Sequence, residues 1–258
     1  MHDRAPARES QPAMPAAKPH LRLVPPSPSR PTLEQRLQTT LARLQAEARP
    51  EQLAGMARFG LTGSSRLGLA VPTLRGLGKQ LGTDHELGLA LWDSGIPDAQ
   101  ILASLLVDPE RLTAGEMDRW ARGMQAWDVC DQACLNAFRR TPLAWGRIEA
   151  WAVAEPEFVK RAAFSLLAVL AVHGKFYSDE AFSEHFPRIE AAAADPRNFV
   201  KKSVSWALRQ IGKRNPVLRA RALYVAQGLR ERPEPSARWI GADAWRELNS
   251  DRKNPPTA

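Results

Sequence analysis

Cysteine is nearly absent: the 258-residue chain has two, Cys130 and Cys134. That is too few for a disulfide framework, and no histidines stand at zinc-ligand spacing beside them. Packing must hold the fold, and no metal or cofactor is expected. Long hydrophobic runs are missing as well. No stretch approaches the roughly 18 apolar residues of a membrane helix, and prolines and charges fill the N-terminal positions where a signal peptide would carry its apolar core. A cytoplasmic protein with no membrane partner is therefore expected. Alternating apolar and polar segments and Asn-Gly hairpin turns are also lacking, which argues against a β-rich fold. What remains is 44% hydrophobic and 25% charged residues, the balance of a globular protein with one large core.

Charge is present in excess of one sign. Thirty-six Lys and Arg against 28 Asp and Glu give a net charge of +8. Acidic residues vanish from Pro196 to Arg230, a stretch that carries Arg197, Lys201, Lys202, Arg209, Lys213 and Arg214. A solvated helix face usually mixes both signs, so this run points to a polyanionic partner such as nucleic acid.

Three segments follow from the patterning. Residues 1–31 are rich in Pro, Ala and Arg without apolar periodicity and read as a disordered tail, and 250–258 as a second one. Between them, 32–249 read as one all-α domain. Thr32 with Gln35 forms a capping-box signature ahead of Leu33, Leu37, Leu41 and Leu44, and similar helical spacing recurs at Leu87, Leu91, Ile101 and Leu105, and at Trp120, Met124 and Trp127. Phe158-Val159-Lys160-Arg161 returns 41 residues later as Phe199-Val200-Lys201-Lys202, each copy after an Ala-acidic-Pro turn. Helix-pair repeats of roughly 40 to 47 residues build HEAT and armadillo solenoids, with one concave face. Stacking of the two copies would line Lys160, Arg161, Lys201 and Lys202 along a phosphate-binding ridge.

The most unusual local sequence is Trp127-Asp128-Val129-Cys130-Asp131. Positions four apart share a helix face, so Trp127 and Asp131 would present an indole and a carboxylate together, with Asp128 pointing elsewhere. Taken alone, such a pair is ordinarily a core tryptophan and a structural carboxylate. The pattern Trp-Asp-x-x-Asp, followed by Phe158 to Ala163 and by Phe199-Val200-Lys201-Lys202-Ser203-Val204-Ser205-Trp206 with Asn215-Pro216 beyond, resembles the AlkD-like family of alkylpurine DNA glycosylases. Upstream, Gly68 to Arg75 and Leu91-Trp92-Asp93-Ser94 fit the same family, so the likeness spans roughly Leu33 to Trp245.

The resemblance implies a HEAT-like solenoid gripping double-stranded DNA as a monomer. It also implies a monofunctional hydrolase that removes N3- and N7-alkylated purines, such as 3-methyladenine and 7-methylguanine, without extruding the base. By position, Asp131 would stabilise the cationic sugar and orient water, Trp127 and Trp206 would lie against the deoxyribose, and Arg161 would hold the phosphate at the lesion. Lys160, Lys201, Lys202, Arg209, Lys213 and Arg214 would bind the DNA backbone. Ala126 stands where the family often has a second Trp, and Cys130 where an aliphatic residue is usual; Cys130 and Cys134 read as small apolar filling. His173 and His185 read as exposed or structural, and Tyr177 as a DNA contact from a loop. The alternative is a HEAT-repeat protein that binds damaged or distorted DNA without catalysis.

Overall fold

In a computed structural model, residues 31–250 are described, so the expected tails lie almost wholly outside the described residues. Those residues contain no strand. The helices are α1 (Leu33–Ala46), α2 (Leu53–Ala57), α3 (Val71–Leu81), α4 (His85–Asp93), α5 (Pro97–Leu106), α6 (Ala114–Gly123), α7 (Trp127–Asn136), α8 (Ala144–Ala152), α9 (Glu157–His173), α10 (Asp179–Ser183), α11 (Phe186–Ala192), α12 (Asn198–Gly212), α13 (Pro216–Arg230) and α14 (Pro235–Ser250). None is long and apolar enough to cross a membrane.

Local chemistry sets the helix starts. Thr32 and Gln35 close the expected capping box, and Thr113 with Glu116 closes a second one ahead of α6. Asn215 accepts from the Leu218 amide while Pro216 occupies the first turn of α13, where a missing N–H costs nothing. The helical run expected through Trp120, Met124 and Trp127 is broken. α6 ends at Gly123, the backbone is extended at Met124 and Ala126, and α7 starts afresh on Trp127. The break lets Met124 and Ala126 bury their side chains and puts Trp127, half-buried, on the opening turn of a helix.

Helices α3, α5, α7, α9, α12 and α14 pack each against the next in one row, and α4, α8, α11 and α13 pair with members of that row on its other side. This is the helix-pair stack that the repeat predicted. The 41-residue interval is one step of it, since Phe158 and Phe199 open α9 and α12 and their rings stack 5.5 Å apart. α9 sits at the centre and is buried from Arg161 through Ala171, as befits a helix apolar on nearly every side. Cys130 and Cys134 fill the α7–α9 contact, with their thiols toward the carbonyls of Phe158 and Ala162.

Buried polar clamps fix the spacing of the layers. The carboxylate of Asp98 accepts the backbone amides of Leu67 and Leu69, both at 2.8 Å. Arg66 donates both terminal nitrogens to Asp128, at 2.7 and 3.0 Å, which is where Asp128 points. One device occurs twice. Arg197 pairs with Asp195 and donates to the Glu155 carbonyl, and Arg232 pairs with Glu234 and donates to the Glu190 carbonyl, each tying a turn to the preceding step. Gly241 marks a close crossing, because a Cβ there would lie 2.5 Å from the Ala226 carbonyl of α13.

His185 is buried flat against Trp145, and desolvation with nearby Arg188 pushes its pKa down to about 4. The unfolded chain binds this proton near pH 6.5, so His185 opposes folding as the pH falls from about 6.5 to 4 and has no such effect above that window. Unfolding free energies from denaturant titrations across this range should fall with acidification, by up to about 1.4 kcal/mol per pH unit from this group. A His185→Phe variant should lose that component of the slope; an identical slope in the variant would place the titration elsewhere.

Candidate nucleic-acid interface and catalytic cleft

Three neighbouring helices of the stacked row deliver one polar cluster. Arg161, on the first turns of α9, reaches across to α7 and donates to both carboxylate oxygens of Asp131, at 2.9 and 2.8 Å. Its other terminal nitrogen donates to the Phe199 carbonyl of α12 at 2.7 Å. Ser165, one turn after Arg161 on the same face of α9, donates its hydroxyl to Asp131 Oδ1 at 2.8 Å. The carboxylate is thus held in one orientation from two sides. Burial pushes its pKa above the ordinary carboxylate value, while Arg161 and Ser165 both favour the anion. The guanidinium of Arg161 is held more firmly protonated by the same contact, although burial opposes it.

This pairing does not seal Asp131 away. Its side chain keeps 19% of its surface, against 6% for Arg161, and it borders two adjoining hollows. One, of about 490 Å³, is lined by Arg58, Phe59, Gly60, Asn198, Phe199 and Lys202. The other, of about 530 Å³, has apolar walls that include Leu69, Val71, Ile101, Leu135 and Val169, with Gln132 and His173 among its polar groups. Trp127, Asp131 and Trp206 line both. The carboxylate therefore shares with two indoles the junction of a basic hollow and an apolar one. Trp127 is fixed by its ring N–H, which donates to the Phe59 carbonyl at 2.9 Å.

The structure brings together Trp127, Asp131, Arg161 and Trp206 as the sequence suggested, but it changes the part Arg161 plays. With 5% of its surface accessible and its terminal nitrogens engaged by Asp131 and Phe199, it orients the carboxylate instead of reaching for a phosphate. The expected ridge of four basic residues is also absent. Neighbouring positions on a helix differ by about 100° in direction, and the members of each pair diverge accordingly. Lys160 turns to Asp195, Lys201 lies over the Trp239 ring, and only Lys202 of the three lysines lines the cleft.

Other cations of the acid-free run are also engaged from elsewhere. Arg209 pairs with Asp243 and Glu247, and Lys213 with Glu247. Arg214 is spent on the carbonyls of Ala171, Gly174 and Tyr177 and stacks on Phe182. Tyr177 packs edge-on against Trp145, and His173 is the last residue of α9, at the rim of the apolar hollow. Sequence reasoning missed Ser165, Asn198 and the Arg58–Gly60 turn. Ser165 could have been found from its spacing of four after Arg161; the turn carries no periodic signal.

The stacked row of helix pairs defines a HEAT-like helical-repeat protein with a part-basic cleft. A family model described as DNA alkylation repair enzyme matches residues 40–245, and the chain belongs to that family. Among solved structures, one from a new family of proteins related to the HEAT-like repeat DNA glycosylases, with affinity for branched DNA structures, shares the fold at a TM-score of 0.71. It is 16% identical, over 84% of this chain and 94% of that one. Comparison with curated proteins gives no match.

Breaking a buried ion pair from one side leaves the other charge uncompensated, at a cost of about 3–5 kcal/mol. Arg161→Met should lower stability on that scale in urea titrations. Adding Asp131→Asn should recover a substantial part of the loss, and a fully additive double variant would contradict the coupling.

Proposed function

We propose that this protein is a monofunctional DNA glycosylase that hydrolyses the N-glycosidic bond of N3- and N7-alkylated purines in double-stranded DNA. The observation that carries the reading is the Asp131 carboxylate, part exposed, held by Arg161 and Ser165, and lining together with Trp127 and Trp206 both the basic and the apolar hollow. A purine alkylated at N3 or N7 already carries a positive charge. When its bond to C1′ breaks, the bonding pair goes to the base, which departs neutral without a general acid. The sugar becomes oxocarbenium-like, and the needed catalyst is a fixed negative group with electron-rich rings against the cation. Water then adds to C1′ and yields its proton by way of Asp131 to solvent, leaving an abasic site.

In this reading Lys202 and Arg58 meet phosphates beside the lesion. Neither has an ion-pair partner among the described residues, and both line the basic hollow. The leaving base remains within the duplex, as the family likeness implies, and 3-methyladenine and 7-methylguanine are the substrates to try first. A monomer acting on the bacterial nucleoid in the cytoplasm is part of the same proposal. A second reading has a specific observation behind it: the similar solved structure is described by its affinity for branched DNA. Here the cleft would grip distorted DNA without cleaving anything.

Release of free 3-methyladenine or 7-methylguanine from methylated duplex separates the two. The wild type should release base, and Asp131→Asn should be slower by about 10²-fold or more with nearly unchanged duplex affinity, the scale of losing one preorganised electrostatic group. Equal rates in the variant would reject the role of Asp131, and no release by the wild type would leave only the binding reading. Lys202→Ala should weaken binding to every duplex and flatten the dependence of log K on log salt by about one unit. An unchanged slope would remove Lys202 from the DNA contact.

A further inference from the structure

Beyond the cleft, a second concavity carries charge of the opposite sign. α10, α11 and α13 border an open groove of about 830 Å³ whose charged lining is Glu180, Glu184, Glu190 and Arg221. None of the three carboxylates has an ion-pair partner among the described residues. Arg221 instead lies over the Phe186 ring, 5.4 Å from its centroid. In a chain with a net charge of +8, three carboxylates to one cation set this surface apart. Nucleic acid would be repelled from it, so the groove is no extension of the DNA-facing cleft.

Acidic side chains alone would be an ordinary solvated surface, but two other features go with them. Apolar area is left uncovered: Tyr224 is 82% exposed, and Val217, seven residues earlier on the same face of α13, is 65% exposed. Phe186, Pro187 and Val225 continue that area into the groove. The other feature is Ser183 on α10, which lines the groove with 7% of its surface exposed. Its hydroxyl has no hydrogen-bond partner among the described residues, and the oxygen is not sealed from solvent. A buried hydroxyl ordinarily has a partner, so this one is an unused polar group aimed into the groove.

We infer that this groove docks an arginine-bearing, extended segment of a partner protein. A guanidinium fits all three features at once. Its planar face stacks on an exposed aromatic ring, its fork of N–H donors meets carboxylates, and a remaining donor reaches a hydroxyl oxygen. Apolar side chains beside the arginine cover Val217 and the wall of Phe186 and Pro187, area that a bare polyamine would leave in water. Tyrosine and arginine are also the residue types that anchor protein interfaces. The groove shares no lining residue with either hollow of the cleft, so a docked partner leaves the DNA cleft free. Docking of this kind is independent of the reaction proposed for Asp131.

Fluorescence anisotropy of a labelled peptide of alternating arginine and leucine, titrated with the full-length protein, tests this beside counterparts carrying lysine or glutamate in place of arginine. The arginine peptide should bind most tightly, and the lysine peptide more weakly, because an ammonium has neither the flat face nor the fork. Tyr224→Ala should weaken the arginine peptide by about tenfold or more, as for loss of an aromatic anchor, while Tyr224→Phe keeps the affinity. Glu184→Gln combined with Glu190→Gln should weaken it by about tenfold, the order of two exposed ion pairs. These side chains are exposed, so every variant should melt and bind duplex DNA as the wild type does. An arginine peptide bound no more tightly than the glutamate peptide, or variants that leave its affinity unchanged, overturns the inference. A wild type that sediments as a dimer and becomes monomeric with Tyr224→Ala makes a second copy of the chain the occupant, and overturns it as well.

Discussion

The contact of one Arg161 guanidinium nitrogen with both oxygens of Asp131 is the joint on which the cleft is assembled. It links α9 to α7, and the same guanidinium reaches the Phe199 carbonyl, so one side chain sets the relative position of three consecutive members of the stacked row. Trp127 rides on α7 one turn before Asp131, and Trp206 on α12 beyond Phe199. Both indoles therefore take their places from helices that Arg161 ties together. Burial makes the joint rigid as well as costly: the charged groups have little water to fall back on, and any displacement of one leaves the other unpaired.

The positive charge of the chain is used mainly as structural material. Arg197 and Arg232 close turns, Arg214 gathers carbonyls at the end of α9, and Arg66 locks the loop before α3 onto α7. Arginine suits this work because its planar fork satisfies several acceptors at once and stays ionised when buried. Few cations are then left on the cleft without a carboxylate. Lys202 and Arg58 lie on the same wall as Asn198, close to the part-exposed carboxylate, which concentrates the field where a backbone phosphate would come nearest the indoles.

How much of this was legible in the sequence follows from the range of each interaction. The all-α class and the stacking period could be read because they are local or repetitive, as with the Thr32–Gln35 box and the two Phe-Val-Lys-basic copies. Trp127 and Asp131 could be paired because a spacing of four is a helix property. The direction of each basic side chain could not, since it depends on carboxylates far along the chain, such as Asp195, 35 residues from Lys160, or on the carbonyls that capture Arg214. A run without Asp or Glu looks like an unbroken positive field in one dimension. In three, Asp179, Asp243 and Glu247 fold back onto it.

Asp131 answers two opposed demands, and the geometry meets both. A carboxylate that is to favour a cationic sugar must be ionised, yet burial beside the indoles raises the cost of that charge. Full exposure would keep the charge cheaply but surrender its strength to water, because Coulomb attraction in a high-dielectric surround is weak. Arg161 resolves the conflict by holding the anion from behind while the accessible edge remains toward the hollows. The pair is formally neutral at a distance and strongly polar at contact, so it acts on the atom pressed against it and hardly at all on phosphates farther along the strand. Ser165 fixes which edge that is. Such a group would tolerate the polyanion it must approach, which a free carboxylate on a DNA-facing surface would repel.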